Sequence, residues 1–336
     1  MHEYLTRLQD PNPSVRRNAA EALGQMGEAA ATPEVIGALI QRLREDEDGW
    51  VRSEAARALG KMGKTAATQE VLEVLTERLR EDEDNDVRKV AAYALGEMGK
   101  TAARPKVLQV LLQALGDPKP LARRSAAEAL GKMGEAAATQ EVLQALLECL
   151  REDEAEGVRQ EAAEALGKMG EAAAQPEVLQ ALTERLREDT AGVVRETAAQ
   201  ALEAMGPAAA TPEVLGALAQ RLRKDENEWV RGAAAEALRR LLRAHPEGLR
   251  NLLRTLSVPM TPQETQALGK VLRDSPWAVP ALRALLSDPD PKIRLRAVWV
   301  LGWMGEAAAT PEVVRDLLAR RLDRAPTVRT AALKVL

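Results

Sequence analysis

Residues 46–63 read DEDGWVRSEAARALGKMG: an Asp, four residues, a Val-Arg step, an Ala-rich stretch and a closing Leu-Gly-x-Met-Gly. The step returns at Val15-Arg16, Val87-Arg88, Ala122-Arg123, Val158-Arg159, Val194-Arg195, Val230-Arg231, Ile293-Arg294 and Val328-Arg329. Val15 to Val51 is 36 residues, as is Val51 to Val87. A period of about 20–50 residues marks a stacked-repeat array, in which each unit buries its apolar face against its neighbours. Such an array offers a long surface and not a pocket.

One repeat reads as a helical hairpin. Thr32-Pro33-Glu34 is a helix start, with a capping hydroxyl, a Pro suited to the first turn and an acid at the positive end of the dipole. Val35, Ile36, Leu39, Ile40 and Leu43 follow helical spacing, and the helix is expected to end in Glu45-Asp46-Glu47-Asp48. A second helix opens near Trp50-Val51, with Val51, Ala55, Ala58, Leu59 and Met62 on its apolar stripe. Gly63 fits a left-handed helix end, and Lys64 to Ala67 link to the next unit. The Ala-rich second helix lets backbones approach closely.

Five residues before every Val position stands an Asp: Asp10, Asp46, Asp82, Asp117, Asp153, Asp189, Asp225, Asp288 and Asp323. An Arg always follows the Val position, including Arg52, Arg88, Arg123, Arg159, Arg195 and Arg231. Asp suits the turn because it accepts backbone N–H groups. Arg, a planar fork of donors, can reach that Asp or the one in the next repeat, giving a ladder of bridged turns. A row of phosphate-binding arginines is the competing reading, but a matching Asp would already neutralise each Arg.

The chain has 336 residues, 46% hydrophobic and only 2% aromatic, with no Phe. Its 47 basic and 51 acidic residues leave a net charge of −4, which argues against a nucleic-acid sleeve. One cysteine, Cys149, excludes an internal disulfide framework. The N-terminus lacks an apolar signal core, and no uncharged run is long enough to span a bilayer. A cytoplasmic protein is the expectation.

The pattern from Asp153 to Gly167 closely resembles HEAT repeats of bacterial arrays, and the resemblance runs over nearly the whole chain. It implies an all-α fold: a right-handed superhelix of about ten helical hairpins. First helices would lie outside and second helices would line the concave side. The usual role of the family, scaffolding and protein binding, is implied with it. The Gly27-to-Val35 linker resembles arrays of bacterial multidomain proteins, some of which sit behind a signalling NTPase as a sensor. The chain carries no Walker-type loop of its own.

Regular repeats fill 1–239. From Val230 to Ile293 is 63 residues, so one unit has lost its signature, and 240–290 is expected to be a degenerate repeat and a bend. Helices there are expected at 246–256, 262–273, 277–287 and 291–304, punctuated by His245-Pro246, Val258-Pro259, Thr261-Pro262 and Ser275-Pro276-Trp277. Residues 291–336 give two further units of one continuous solenoid, the last cut short. An apolar end at Ala332 to Leu336 is expected to belong to a longer protein or to invite self-association.

Chemistry is sparse. With two histidines, His2 and His245, no His-rich metal cluster can form. HEAT-type di-iron hydroxylases use several His-Glu pairs, and only His2-Glu3 matches here. Cys149 occupies a first-helix column otherwise held by Arg42, Arg78, Arg185 and Arg221, and is expected to be a partly exposed, inert thiol. No catalytic residue, cofactor or metal is assigned.

Repeats differ from one another mainly on the second helix, opposite its apolar stripe. Lys89, Arg124 and Glu196 lie two residues after the Val position. Arg57, Tyr93, Glu164, Gln200, Glu236 and Trp299 lie six after, and Trp50 and Trp229 just before. With Trp303 these are the candidate partner-binding residues, since exposed aromatics and Arg dominate interface energetics. The expected function is a non-enzymatic scaffold that takes a protein or peptide along the concave surface. The alternatives are a sensor array of a larger NTPase, a HEAT-like DNA-binding or glycosylase-type protein, and an engineered or recently duplicated array.

Overall fold

The computed structural model describes residues 1–255, 262–273 and 275–336. Twenty α-helices lie among them, numbered α1 to α20 in chain order, and no strand. They divide into two compact units, Met1–Ala173 and Ala174–Leu336.

In the first unit, α3 (Pro33–Glu45) starts as its sequence dictates: Thr32 Oγ1 accepts the Val35 N–H at 3.4 Å and Pro33 occupies the first turn. Val35, Ile36, Leu39, Ile40 and Leu43 are all buried. The partner helix α4 (Gly49–Lys61) is capped by Asp48, whose Oδ1 accepts from Trp50 N–H and Val51 N–H. From the run Glu45-Asp46-Glu47-Asp48, the backbone selects Asp48 for the cap and leaves Asp46 to serve the turn. The same hairpin recurs as α5 (Gln69–Glu81) with α6 (Asn85–Glu97), α7 (Pro105–Leu115) with α8 (Pro120–Met133), and α9 (Gln140–Glu152) with α10 (Glu156–Lys168).

Gly63 has φ of +58°, a region that an L side chain enters only with strain. It opens a 3-10 turn, Gly63–Ala66, that buries Ala66 and hands the chain to Thr68. The stretch expected to be a plain linker is therefore ordered structure.

Second helices pack directly on one another. A Cβ added to Gly60 would sit 2.7 Å from the Cα of Ala94 in the next repeat, and Gly24, Gly96 and Gly131 face Ala58, Ala129 and Ala165 at 2.9 Å. Gly is unfavourable inside a helix by about 1 kcal/mol, so its recurrence needs such a contact to explain it.

The ladder has a definite direction. Arg52 Nε and Nη2 donate to the two carboxylate oxygens of Asp82 in the next repeat at 3.0 and 2.8 Å, while Nη1 donates to the carbonyl of its own Asp46 at 2.9 Å. Asp82 Oδ1 also accepts the Asp84 N–H at 3.0 Å. Arg16–Asp46, Arg123–Asp153, Arg195–Asp225 and Arg294–Asp323 repeat the forked geometry. Arg159 and Arg231 donate to the carbonyls of Asp153 and Asp225 at 2.9 Å. Asp82 is further approached from its own first helix by Arg78 at 3.4 Å. Arg88 departs from the expected ladder: it donates to the Asp82 carbonyl and to Asn85, and no bridge to Asp117 forms.

In the second unit, α11 (Pro176–Glu188), α12 (Gly192–Ala204), α13 (Pro212–Lys224) and α14 (Glu228–Ala244) continue the pattern. The irregular stretch holds α15 (Gly248–Thr255), α16 (Pro262–Arg273), α17 (Ala278–Leu285) and α18 (Pro291–Met304), close to the four helices its prolines predict. Val258-Pro259 and Thr261 lie outside the described residues. Asp288 finds its partner in Arg250 of α15, at 2.6 Å. The last pair is α19 (Pro311–Arg320) and α20 (Pro326–Val335).

Gly37 of α3 has open space around it, so Gly37→Ala should raise the urea midpoint, by up to ~1 kcal/mol of helix propensity. Gly60→Ala should lower it by about 1–3 kcal/mol, because the added methyl meets backbone. Burial pushes the Asp82 carboxyl up, but the Arg52 and Asp84 N–H hydrogen bonds and the charges of Arg52 and Arg78 outweigh it, holding Asp82 below the usual carboxylate range. The stabilisation from this group is complete above about pH 4 and lost as pH falls through the lowered value. Arg52→Ala should therefore cost about 3 kcal/mol or more at pH 7 and less at pH 2. An equal cost at both pH values, read from urea midpoints, would contradict the rung.

Candidate protein-interaction surface

The variable columns fall on one face of each second helix. In α4, Trp50 and Arg57 are seven residues apart, two turns on the same side. Trp50 sits in the first turn, its N–H held by Asp48, and its side chain is 63% exposed. Trp229 occupies the same place in α14, with its N–H held by Asn227, and is 67% exposed. Leu121 and Val193 fill this column in α8 and α12 and are exposed too. They were legible as apolar members of the Trp column.

Further along the helices the face is ionic. Lys132 Nζ lies 3.9 Å from the centre of the Tyr93 ring and bonds Glu97 at 2.7 Å and Glu128 at 2.8 Å. This cation–π contact half-covers Tyr93. Burial works against the Lys132 charge, but the two carboxylates overcome it and raise its pKa. Burial, then Glu97, raises the Tyr93 hydroxyl. Arg57 pairs with Glu54 at 3.3 Å, Lys168 with Glu164 at 2.7 Å, and Gln200 donates to Glu196 at 3.2 Å. Glu236 binds Arg240 at 2.8 Å and also pairs with Arg239. Lys89 is half-buried and Arg124 exposed.

Glu161 of α10 is buried at 5% exposure, with Arg124 Nε 3.4 Å from its carboxylate. Sequence reasoning passed over it. Its signal was an acid one residue beyond the variable column, a position held by Ser125 in the preceding repeat. Burial pushes its carboxyl up, helped by Glu164 and Glu128 and opposed by Arg124.

Trp299 and Trp303 lie one turn apart on α18, the first half-buried and the second 38% exposed. Trp303 packs so closely on α16 that a Cβ on Gly269 would be 2.9 Å from its own Cβ. Trp277 precedes α17 and is half-buried.

Cys149 corrects the expectation of partial exposure: it is buried, and burial, then the charge of Asp153, pushes its thiol up to about 11. It stands four residues before Asp153, where longer arginines reach out to their Asp in other repeats, and its short side chain stays beneath the turn. A protonated, covered thiol is a poor nucleophile. Among the described residues, no group of three or more His, Cys, Asp or Glu could hold a metal ion, and no helix is long and apolar enough to cross a membrane.

Paired, stacked helical hairpins with a variable second-helix face define an α-solenoid repeat protein. The family model for HEAT repeats matches residues 3–96, 72–156, 137–203 and 264–336, and the chain belongs to the HEAT-repeat family. It is similar to the karyopherin chain of the Kap95:Nup1 complex, with a TM-score of 0.57 and 16% identity over 99% of this chain and 49% of that one. Kap95p in its complex with RanGDP gives a TM-score of 0.55, again at 16% identity, over 99% and 49%. This chain thus spans about half of those relatives' length, and at such identity the likeness is one of fold. No curated protein matches the chain.

Glu161→Gln should raise the thermal midpoint at pH 7. The folded pKa lies above the unfolded one, so ionisation of Glu161 weakens the fold as pH rises between the two values. The gain should vanish below about pH 4, where both side chains are neutral, and scanning calorimetry across pH checks it.

Proposed function

We propose that the chain is a non-enzymatic scaffold whose second-helix, concave face binds a protein or peptide partner. The carrying observation is the exposure of Trp50 and Trp229 at matching places in their repeats, each on a helix whose other exposed residues vary from repeat to repeat. A solvated indole is a costly thing to display, and aromatic anchors beside Arg are the usual centres of binding energy. Leu121 and Val193 extend the apolar column within their own units.

The ionic half of the face supports a polar protein surface as partner in preference to nucleic acid. Several of its lysines and arginines already hold carboxylates, as Lys132 does between Glu97 and Glu128 and Arg57 does at Glu54, which lowers the cationic excess open to phosphates. In the Kap95:Nup1 complex a chain of similar fold is paired with another protein, and the same mode of use is proposed here. Tyr93, Arg57, Lys89, Arg124, Glu164, Glu196, Gln200, Glu236, Trp299 and Trp303 would contribute the rest of the contact. Within each unit the regular repeats of 1–239 would form the frame, with 240–290 as the site of a change in direction.

The test is affinity capture from lysate with the wild-type chain beside the triple variant Trp50→Ala, Tyr93→Ala, Trp229→Ala. A protein held by the wild type and lost by at least ~tenfold in the variant is the expected result. An identical catch from both would refute the second-helix face as the binding surface.

A further inference from the structure

The Arg–Asp ladder has a vacant rung, and a cavity lies beside it. In the five forked bridges, the residue three before the arginine is Pro13, Gly49, Pro120, Gly192 or Pro291, none with a side chain that can accept a hydrogen bond. Before Arg88 that residue is Asn85, and its side-chain oxygen takes the Arg88 Nη2 that would otherwise reach forward. The following helix is also shortened: α7 has 11 residues where α5 has 13. Shortening alone does not break a rung, because Arg294 reaches Asp323 across the same 29-residue spacing that separates Arg88 from Asp117.

Between α5, α6, α7 and α8 a cavity of about 300 Å³ opens at this place. Arg88 and Lys89 stand on one wall and Gln113 and Asp117 on the other, over a floor of Leu79 and Val110. Lys89 is half-buried and has no ion-pair partner among the described residues, and Arg88 Nε is likewise unengaged. Asp117 spends Oδ1 on the Lys119 N–H at 2.7 Å. The cavity is lined by three cations, Arg80, Arg88 and Lys89, and one carboxylate, Asp117; Arg80 is held by Glu81, and neither Arg88 nor Lys89 is bridged to Asp117. Both donors face the cavity unbridged, so a carboxylate entering it can accept a charge-assisted hydrogen bond from each.

We propose that this cavity binds a carboxylate group, which takes the place of the missing rung: its oxygens accept from Arg88 Nε and Lys89 Nζ while its alkyl stem lies on Val110 and Leu79. A planar, singly charged group fits better than a phosphate dianion, because it matches the planar guanidinium edge and Asp117 opposes a second negative charge. The source is an acidic side chain of a bound protein or a small free dicarboxylate. The inference goes beyond the interface reading, since a cavity can take a carboxylate whether or not the second-helix face holds a partner.

The test titrates the full chain, with isotope-labelled Val and Ala methyls, against three probes at constant ionic strength: N-acetyl-glutamic acid α-amide, sodium succinate and inorganic phosphate. The methyls of Val110, Ala92, Ala114 and Ala122 line the cavity and report occupancy. Saturable shifts with a carboxylate probe, at an affinity on the order of millimolar, are expected. Lys89→Gln should weaken them about tenfold while keeping the thermal midpoint, as Lys89 holds no partner. Asn85→Pro, which copies the first helical residue of α8 and α18, should free Arg88 to bridge Asp117 and abolish the shifts. Preference for the capped glutamate identifies a protein side chain as the source, and preference for succinate a free acid. Absence of saturation, shifts indifferent to Lys89→Gln, or saturation by phosphate alone would overturn the proposal. Lys89 is common to both readings, but the capture variant changes Trp50, Tyr93 and Trp229 and leaves Arg88, Lys89 and Asp117 in place, so failure of either test is distinguishable from failure of the other.

Discussion

In five of the repeats one guanidinium joins two turns. Arg52 holds the carbonyl of its own turn with one nitrogen and grips the carboxylate of the next turn with two others. Its side chain is 7% exposed and that of Asp82 1%, so neither charge can be left alone without a large desolvation cost. The pair thus does more than add stability. It makes the shape of one turn depend on the position of the next repeat, which is how a local motif dictates a long-range stack.

Where both are present, as in α4, the rung pins the second helix near its start and a glycine pins it near its end. Arg52 lies in the first turn of α4 and Gly60 in the last, against Ala94 of α6. Two fixed points set both the spacing and the rotation of one helix on another. Residues on the outer side of the stripe, such as Trp50, Arg57 and Lys89, take no part in either of these two contacts, so they can differ from repeat to repeat. A rigid frame with a free face is the physical basis for reading the chain as a binding scaffold.

Much of this was legible in the sequence. The period, the paired helices, the Thr caps and the left-handed Gly63 follow from residue chemistry over short spans, and they appear as expected. The irregular stretch also yielded its helices, because proline restricts the backbone wherever it stands. What the sequence withheld depends on distances between repeats. It showed that Arg52 could reach either Asp46 or Asp82, and only the stacking distance chooses Asp82. The recurring glycine read as part of a motif, and its function became visible only with Ala94 against it.

The candidate surface was legible as columns but not as exposures. Trp50 projects into solvent because nothing in the adjacent repeat covers that column, whereas Tyr93 is half-covered because Lys132 arrives from the next helix. Cys149 was read from the arginines around it and proved buried, since a short side chain cannot reach where they do. Asn85 is the subtler case. With Glu156 and Glu228 it is one of three polar residues at a place otherwise held by proline or glycine, and its side-chain oxygen takes up an arginine N–H.

The most direct measurement of the central claim is a pair of double-mutant cycles in urea. The Arg52→Ala/Asp82→Ala cycle should show a coupling of about 2–3 kcal/mol, and the Arg88→Ala/Asp117→Ala cycle less than about 0.5 kcal/mol. Equal couplings in the two cycles, or none in the first, would contradict an array held in register by its forked bridges.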